Sequence, residues 1–166
     1  MPDPVADRFR RWFQYECDAH ARVFDSLETV PPERRDSAEY RRAVDLMGHL
    51  IAARGIWLAR IEGSDPFPGP RFPTDARLDD VKADWADVER RWRDCLSGLS
   101  DSDLARIVAY KTLTGVDCTD VVEDMLAQLF GHSSYHRGQV AMLVRAAGGT
   151  PAETDFIHWV RAQTGG

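Results

Sequence analysis

Two histidines four residues apart carry the first chemical signal in this 166-residue chain. His132 and His136 stand in the repeat Val122, Met125, Leu129, His132, His136, Val140, Leu143, which has helical spacing. Side chains at i and i+4 leave the same helix face one turn apart, so two imidazoles reach a single metal ion at about 2.0–2.1 Å each. The competing reading is a pair of packed core histidines, each hydrogen-bonded to a neighbour. A third ligand has to come from another helix. His49 shares an inward face with Leu46, Leu50, Ala53, Ile56 and Trp57, while His20, in the stripe Phe13, Cys17, His20, Phe24, Leu27, competes for the role. His158, in the terminal segment, reads as an exposed or partly packed side chain. Three imidazoles on one divalent ion leave a position open for water or substrate, as catalytic sites do, whereas closed structural sites usually use Cys. Zinc and nickel both suit this donor set. Gln139, one turn beyond His136, is the candidate for supporting a ligand or touching substrate, and Arg137 is expected to point away as a structural ion-pair partner.

Other chemistries are excluded by their missing motifs. The chain has no H-E-x-x-H helix, no pair of E-x-x-H motifs, no glycine-rich phosphate loop and no G-x-S-x-G elbow. No cysteine is adjacent to a histidine in sequence, and each fits a packing role better than that of a nucleophile.

Four long amphipathic segments must position these residues. The first spans residues 5–27, with Val5, Phe9, Phe13, Cys17, Phe24 and Leu27 on its stripe, and stops at Pro31-Pro32. A second begins near Ser37 and ends at Gly63, where a left-handed glycine suits a helix terminus. Residues 63–73 hold four of the nine prolines, Pro66, Pro68, Pro70 and Pro73, and read as an extended connection. The third helix has the cleanest stripe, Leu78, Val81, Trp85, Val88, Trp92, Cys95/Leu96, Leu99. Residues 107–110 and 112–114, followed by Gly115, read as two short extended segments or an ordered loop. The fourth helix is expected from Thr119 or Asp120 to about Ala147, and a short aromatic segment covers residues 153–161. The expected fold is therefore an all-α four-helix bundle, a single domain over residues 1–166, with an irregular or hairpin segment before the last long helix. Leu78, Val81, Trp85, Val88, Leu129 and Leu143 should be among its most buried side chains. Trp12, Trp57, Trp92 and Trp159 exceed what a modest core absorbs, which places some of them at a subunit interface.

Composition narrows the partners. A net charge of −6 and a pI near 5.3 argue against nucleic acid, since the arginine clusters are interleaved with Asp and Glu. The longest stretch without Asp, Glu, Lys or Arg is the twelve residues 125–136, too short to span a membrane. The N-terminal residues lack an apolar leader core, and Cys17, Cys95 and Cys118 are scattered, so a reducing cytoplasm is the expected compartment.

The run His132-Ser-Ser-Tyr-His136-Arg137-Gly138-Gln139 resembles the H-x-x-x-H-R-G-Q signature of the DinB/YfiT-like family. His49 followed by Trp57-Leu58-Ala59-Arg60-Ile61-Glu62-Gly63 is similar to the family's second-helix pattern, H-x7-W-L-x-R-L-x-G. Tyr110-Lys111-Thr112-Leu113-Thr114-Gly115, Gly149-Thr150-Pro151 and Asp155-Phe156 extend the likeness over nearly the whole chain. The resemblance implies a four-helix bundle with a three-histidine divalent metal site at His49, His132 and His136, often in a homodimer. It also implies a low-molecular-weight thiol as substrate, and hence a thiol S-transferase or a hydrolase. A metal-binding stress-response protein without catalysis is the alternative. Where many relatives carry a further His and an Asn, this chain has Gln128 and Gly131, and His20 stands where Asn is frequent; these departures bear on the pocket rim.

Overall fold

The computed structural model describes residues 4–65 and 67–164; residues 1–3, which contribute to the N-terminal reading, and Pro66 of the proline-rich connection lie outside them. Four long helices form the bundle: α1 (Val5–Glu28), α2 (Ala38–Glu62), α3 (Leu78–Gly98) and, after the short elements below, α5 (Val122–Ala146). Both α1 and α2 pack against α3 on one side and α5 on the other, so α1 and α2 face each other across the core. Phe13, Met47, Leu50, Leu58, Trp92, Leu126 and Leu129 meet in that centre. Burying each such side chain contributes about 1.5–3 kcal/mol. The indole N–H of Trp92 donates to the Arg54 carbonyl at 3.1 Å, which satisfies the polar edge of a fully buried ring.

Local signals set the helix ends. Ser37 caps α2 by accepting the Tyr40 N–H at 3.2 Å, and Gly63 ends it at φ 65°. Ser100 and Asp103 form a reciprocal capping box that starts the one-turn helix α4 (Asp101–Leu104), an element the apolar pattern does not announce.

The segment before the last long helix is a hairpin. Strand β1 (Ile107–Lys111) pairs antiparallel with β2 (Asp117–Val121), with Val108 opposite Asp120 and Tyr110 opposite Cys118. The expected second segment at 112–114 instead belongs to the connecting turn, where Gly115 has φ 83°. The polar residues Asp117, Thr119 and Asp120 conceal the real second strand, and α5 accordingly begins at Val122 rather than at Thr119 or Asp120.

The core differs from the sequence stripes in two respects. Val81, Trp85, Val88 and Leu129 are buried, but Leu78, the first residue of α3, and Leu143 are only half-buried. On α5 the deepest line runs Leu129, Ser133, Arg137, Val140, Val144, so the histidines lie on its shoulder rather than on its centre. The tryptophan surplus also largely resolves within the chain. Trp92 is enclosed, Trp57 half-buried, and Trp159 on α6 (Phe156–Thr164) packs with Phe156 against Tyr15 of α1. Trp12, 37% exposed, is the one of the four that remains at the surface. Among the described residues no helix is long and apolar enough to cross a membrane.

Candidate functional site

The contact between α2 and α5 brings three histidines together. His49 is buried on α2, His132 and His136 are half-buried on α5, and one donor atom of each lies within 4.8 Å of the others. Their ring centroids are 4.5–5.1 Å apart and the planes are steeply inclined, so edges rather than faces converge. His49 Nε2 and His132 Nε2 are 3.2 Å apart.

Neighbouring groups fix which nitrogen faces inward. His49 Nδ1 is 2.7 Å from the Arg71 carbonyl, which only accepts, so Nδ1 carries the proton and Nε2 presents its lone pair. His136 Nδ1 donates to Gln139 Oε1 at 2.7 Å with the same consequence. Burial, followed by the charges that His136 and His49 would carry, lowers His132 to about 4, and burial lowers His49 as well. Both are therefore neutral near pH 7, the form that binds metal. Two facing lone pairs repel unless a proton or cation lies between them. Nitrogens that share an ion at 2.0–2.1 Å, with 90–109° between bonds, stand about 2.8–3.4 Å apart, so the 3.2 Å separation fits.

The proline-rich connection is part of this site. Besides its Arg71 carbonyl, it stacks the Phe72 ring on His49 at 4.5 Å and 9° between planes. Pro70 and Pro73 flank this pair, and Pro73 biases Phe72 away from helical backbone. Close approach needs small residues on α2: a Cβ on Gly55 would fall 2.1 Å from the Phe67 ring, and one on Gly48 2.8 Å from Pro73. Sequence reasoning passed over Arg71 and Phe72; the Pro-x-x-Pro bracket was their one signal.

Behind the histidines lies a buried polar network. Glu16 of α1 and Arg54 of α2 form an ion pair with both nearly inaccessible, and Ser133 Oγ donates to Glu16 Oε1 at 2.8 Å. The Arg54 guanidinium also lies 5.2–5.6 Å from the rings of Phe13, Trp92 and Phe130. Glu16 and Ser133 each sit one position beside the apolar stripe read from the sequence, which gave no signal for this network. His20 belongs to this region and not to the triad: its ring meets Trp85 edge-on at 4.4 Å, and burial holds its pKa well below the ordinary value. It therefore neither replaces His49 nor reaches the pocket rim. Arg137 is also corrected, because it is buried and donates to the Tyr15 hydroxyl at 2.8 Å and to Ser134 rather than pairing with an acid. His158 is exposed, 3.2 Å from Glu153.

A cavity of about 220 Å³ opens beside the triad, lined by His132, Gln128, Trp57, Arg60, Arg71 and Tyr110 among others. Fold and site together define a helical bundle with a candidate three-histidine metal centre between two of its helices. The chain belongs to the DinB family, which it matches over residues 1–165. It is similar in fold to a DinB-like protein of Bacillus cereus ATCC 10987 (TM-score 0.68, 19% identity, 93% of this chain and 100% of that one covered). A search of curated proteins gave no match.

Proposed function

We propose that the protein is a divalent-metal-dependent enzyme, a thiol-dependent S-transferase or a hydrolase, in which His49, His132 and His136 hold one zinc or nickel ion. The observation that carries this reading is the convergence of three ring nitrogens beside a cavity that reaches His132. A closed structural site calls for four protein donors, and among the described residues no further His, Cys, Asp or Glu joins the cluster. An ion with an open position supplies one thing here, a lowered pKa for a bound water or thiol. The chain's residues do the rest. The Arg71 carbonyl and the Gln139 side chain orient two of the imidazoles, Phe72 covers one face of His49, and Trp57 and Ile56 give the cavity an apolar wall.

The substrate is a small molecule, with a low-molecular-weight thiol as one reactant, and the charge of −6 supports no nucleic-acid partner. The free thiols favour a reducing cytoplasm. The family resemblance also favours a homodimer, and sedimentation at micromolar concentration should then give twice the chain mass; a monomer refutes it. Elemental analysis of protein purified without added metal should find about one zinc or nickel per chain. Thiol consumption with a panel of electrophiles should then depend on that metal. Metal-independent turnover, or none with any electrophile, overturns the reading.

A further inference from the structure

We propose that the cavity beside His132 binds an oxyanion, a carboxylate or phosphate group on the small-molecule substrate, through the guanidinium groups of Arg60 and Arg71. This deepens the functional reading above and rests on it for the word substrate, but the binding site stands on its own geometry. Arg60 and Arg71 line both the 220 Å³ cavity that reaches His132 and an adjoining one of about 380 Å³ that opens toward Phe67 and Lys111. Among the described residues neither guanidinium makes an ion pair or a side-chain hydrogen bond.

Both guanidinium groups lie against aromatic rings. The Arg60 guanidinium carbon lies 4.6 Å from the Trp57 ring centroid and 4.1 Å from that of Tyr110, and Arg71 lies 5.1 Å from that of Phe72. The Trp57 and Tyr110 rings meet at 74°, so Arg60 sits in a corner between two aromatic walls. A guanidinium whose N–H groups are not spent on protein acceptors can take a carboxylate or phosphate with two parallel hydrogen bonds. The nearby acid, Asp120, is already engaged by the Tyr110 hydroxyl. Arg60 is also half-buried, and desolvation lowers its pKa although Tyr110, Cys118 and Asp120 act in the opposite direction. His132 lines the same cavity, so an anion anchored on this pair is held beside a candidate metal ligand, and the two arginines select the substrate by its charge.

The test titrates the purified full chain, before and after chelator treatment, with succinate, inorganic phosphate and neutral succinamide. The readout is the Trp57 indole N–H resonance, assigned with Trp57→Phe. Succinate or phosphate should shift it saturably in both preparations and succinamide should not; which anion binds tighter separates carboxylate from phosphate recognition. Arg60→Gln and Arg71→Gln should each weaken binding roughly tenfold or more, and Arg60→Lys should restore part of it. Arg71 is exposed, so its variant remains informative if the loss of Arg60 disturbs the aromatic stack. The inference is overturned if neither anion binds, if succinamide binds as well, if both variants bind like the parent, or if chelation abolishes binding, since the anion would then be riding on metal. Cobalt(II) absorption of the same samples reports the histidine cluster separately, so failure of the metal reading is distinguishable from failure of the anion site.

Discussion

Ser133 Oγ donates a 2.8 Å hydrogen bond to Glu16 Oε1, one residue along α5 from His132. Because Glu16 also pairs with Arg54, one buried carboxylate joins α1, α2 and α5 directly behind the triad. Removing the carboxylate strands a buried guanidinium, so Glu16→Gln should cost about 3–5 kcal/mol. Ser133→Ala loses one bond to a charged group, about 1.5–3 kcal/mol. Urea unfolding checks both. The double variant Glu16→Met/Arg54→Met should recover most of the loss; equal destabilisation by the single and double variants would refute the pairing.

Metal retention tests the triad. His132→Ala or His136→Ala should abolish stoichiometric binding while circular dichroism stays helical, since both rings are only half-buried on the shoulder of α5. Gln139→Leu removes the acceptor for His136 Nδ1 and should weaken metal affinity about 10–100-fold without abolishing it. Full retention in His136→Ala would remove the basis of the proposed mechanism.

Stability of the metal-free protein should fall on acidification. In the unfolded chain His132 takes up a proton near pH 6.5, but in the folded chain only near 4, so the unfolded state binds more protons between those values. Stability is therefore full above pH 6.5, declines toward pH 4, and the His132 contribution levels off below it. His20, held neutral by burial, adds to the decline in the same direction. Thermal melts at intervals from pH 7.5 to 4 should show this slope, shallower in His132→Gln. A flat profile would contradict the burial of these rings.

The cysteines should be unequal toward alkylation. Burial pushes Cys17 up to about 12 and Cys95 to about 11, so both stay protonated at pH 8. Native protein treated with iodoacetamide at that pH should label Cys118 first, with Cys17 and Cys95 following only in denaturant. Rapid native labelling of Cys17, read by peptide mass, would show that α1 opens.

The sequence alone determined the helical bundle, because period-3.6 apolar stripes, Ser37, Gly63 and the prolines each act within a few residues of one another. It also singled out the three histidines: i, i+4 spacing places two of them on one face with no knowledge of the fold. Tertiary structure decided what faces them. Whether His20 or His49 joins His132 depends on which way each helix face is turned, because α1 and α2 both pack against α5; His49 meets the α5 histidines while His20 packs on Trp85 of α3. The Arg71 carbonyl, 22 residues from His49, and the Glu16–Ser133 bond, across 117 residues, are contacts between segments that no local period relates. Even the depth of α5 was a packing result. A helix can rotate by a fraction of a turn against its neighbours without changing its stripe, and that rotation sank Ser133 and Arg137 into the core and left His132 and His136 half-buried on the shoulder, with His132 lining the cavity.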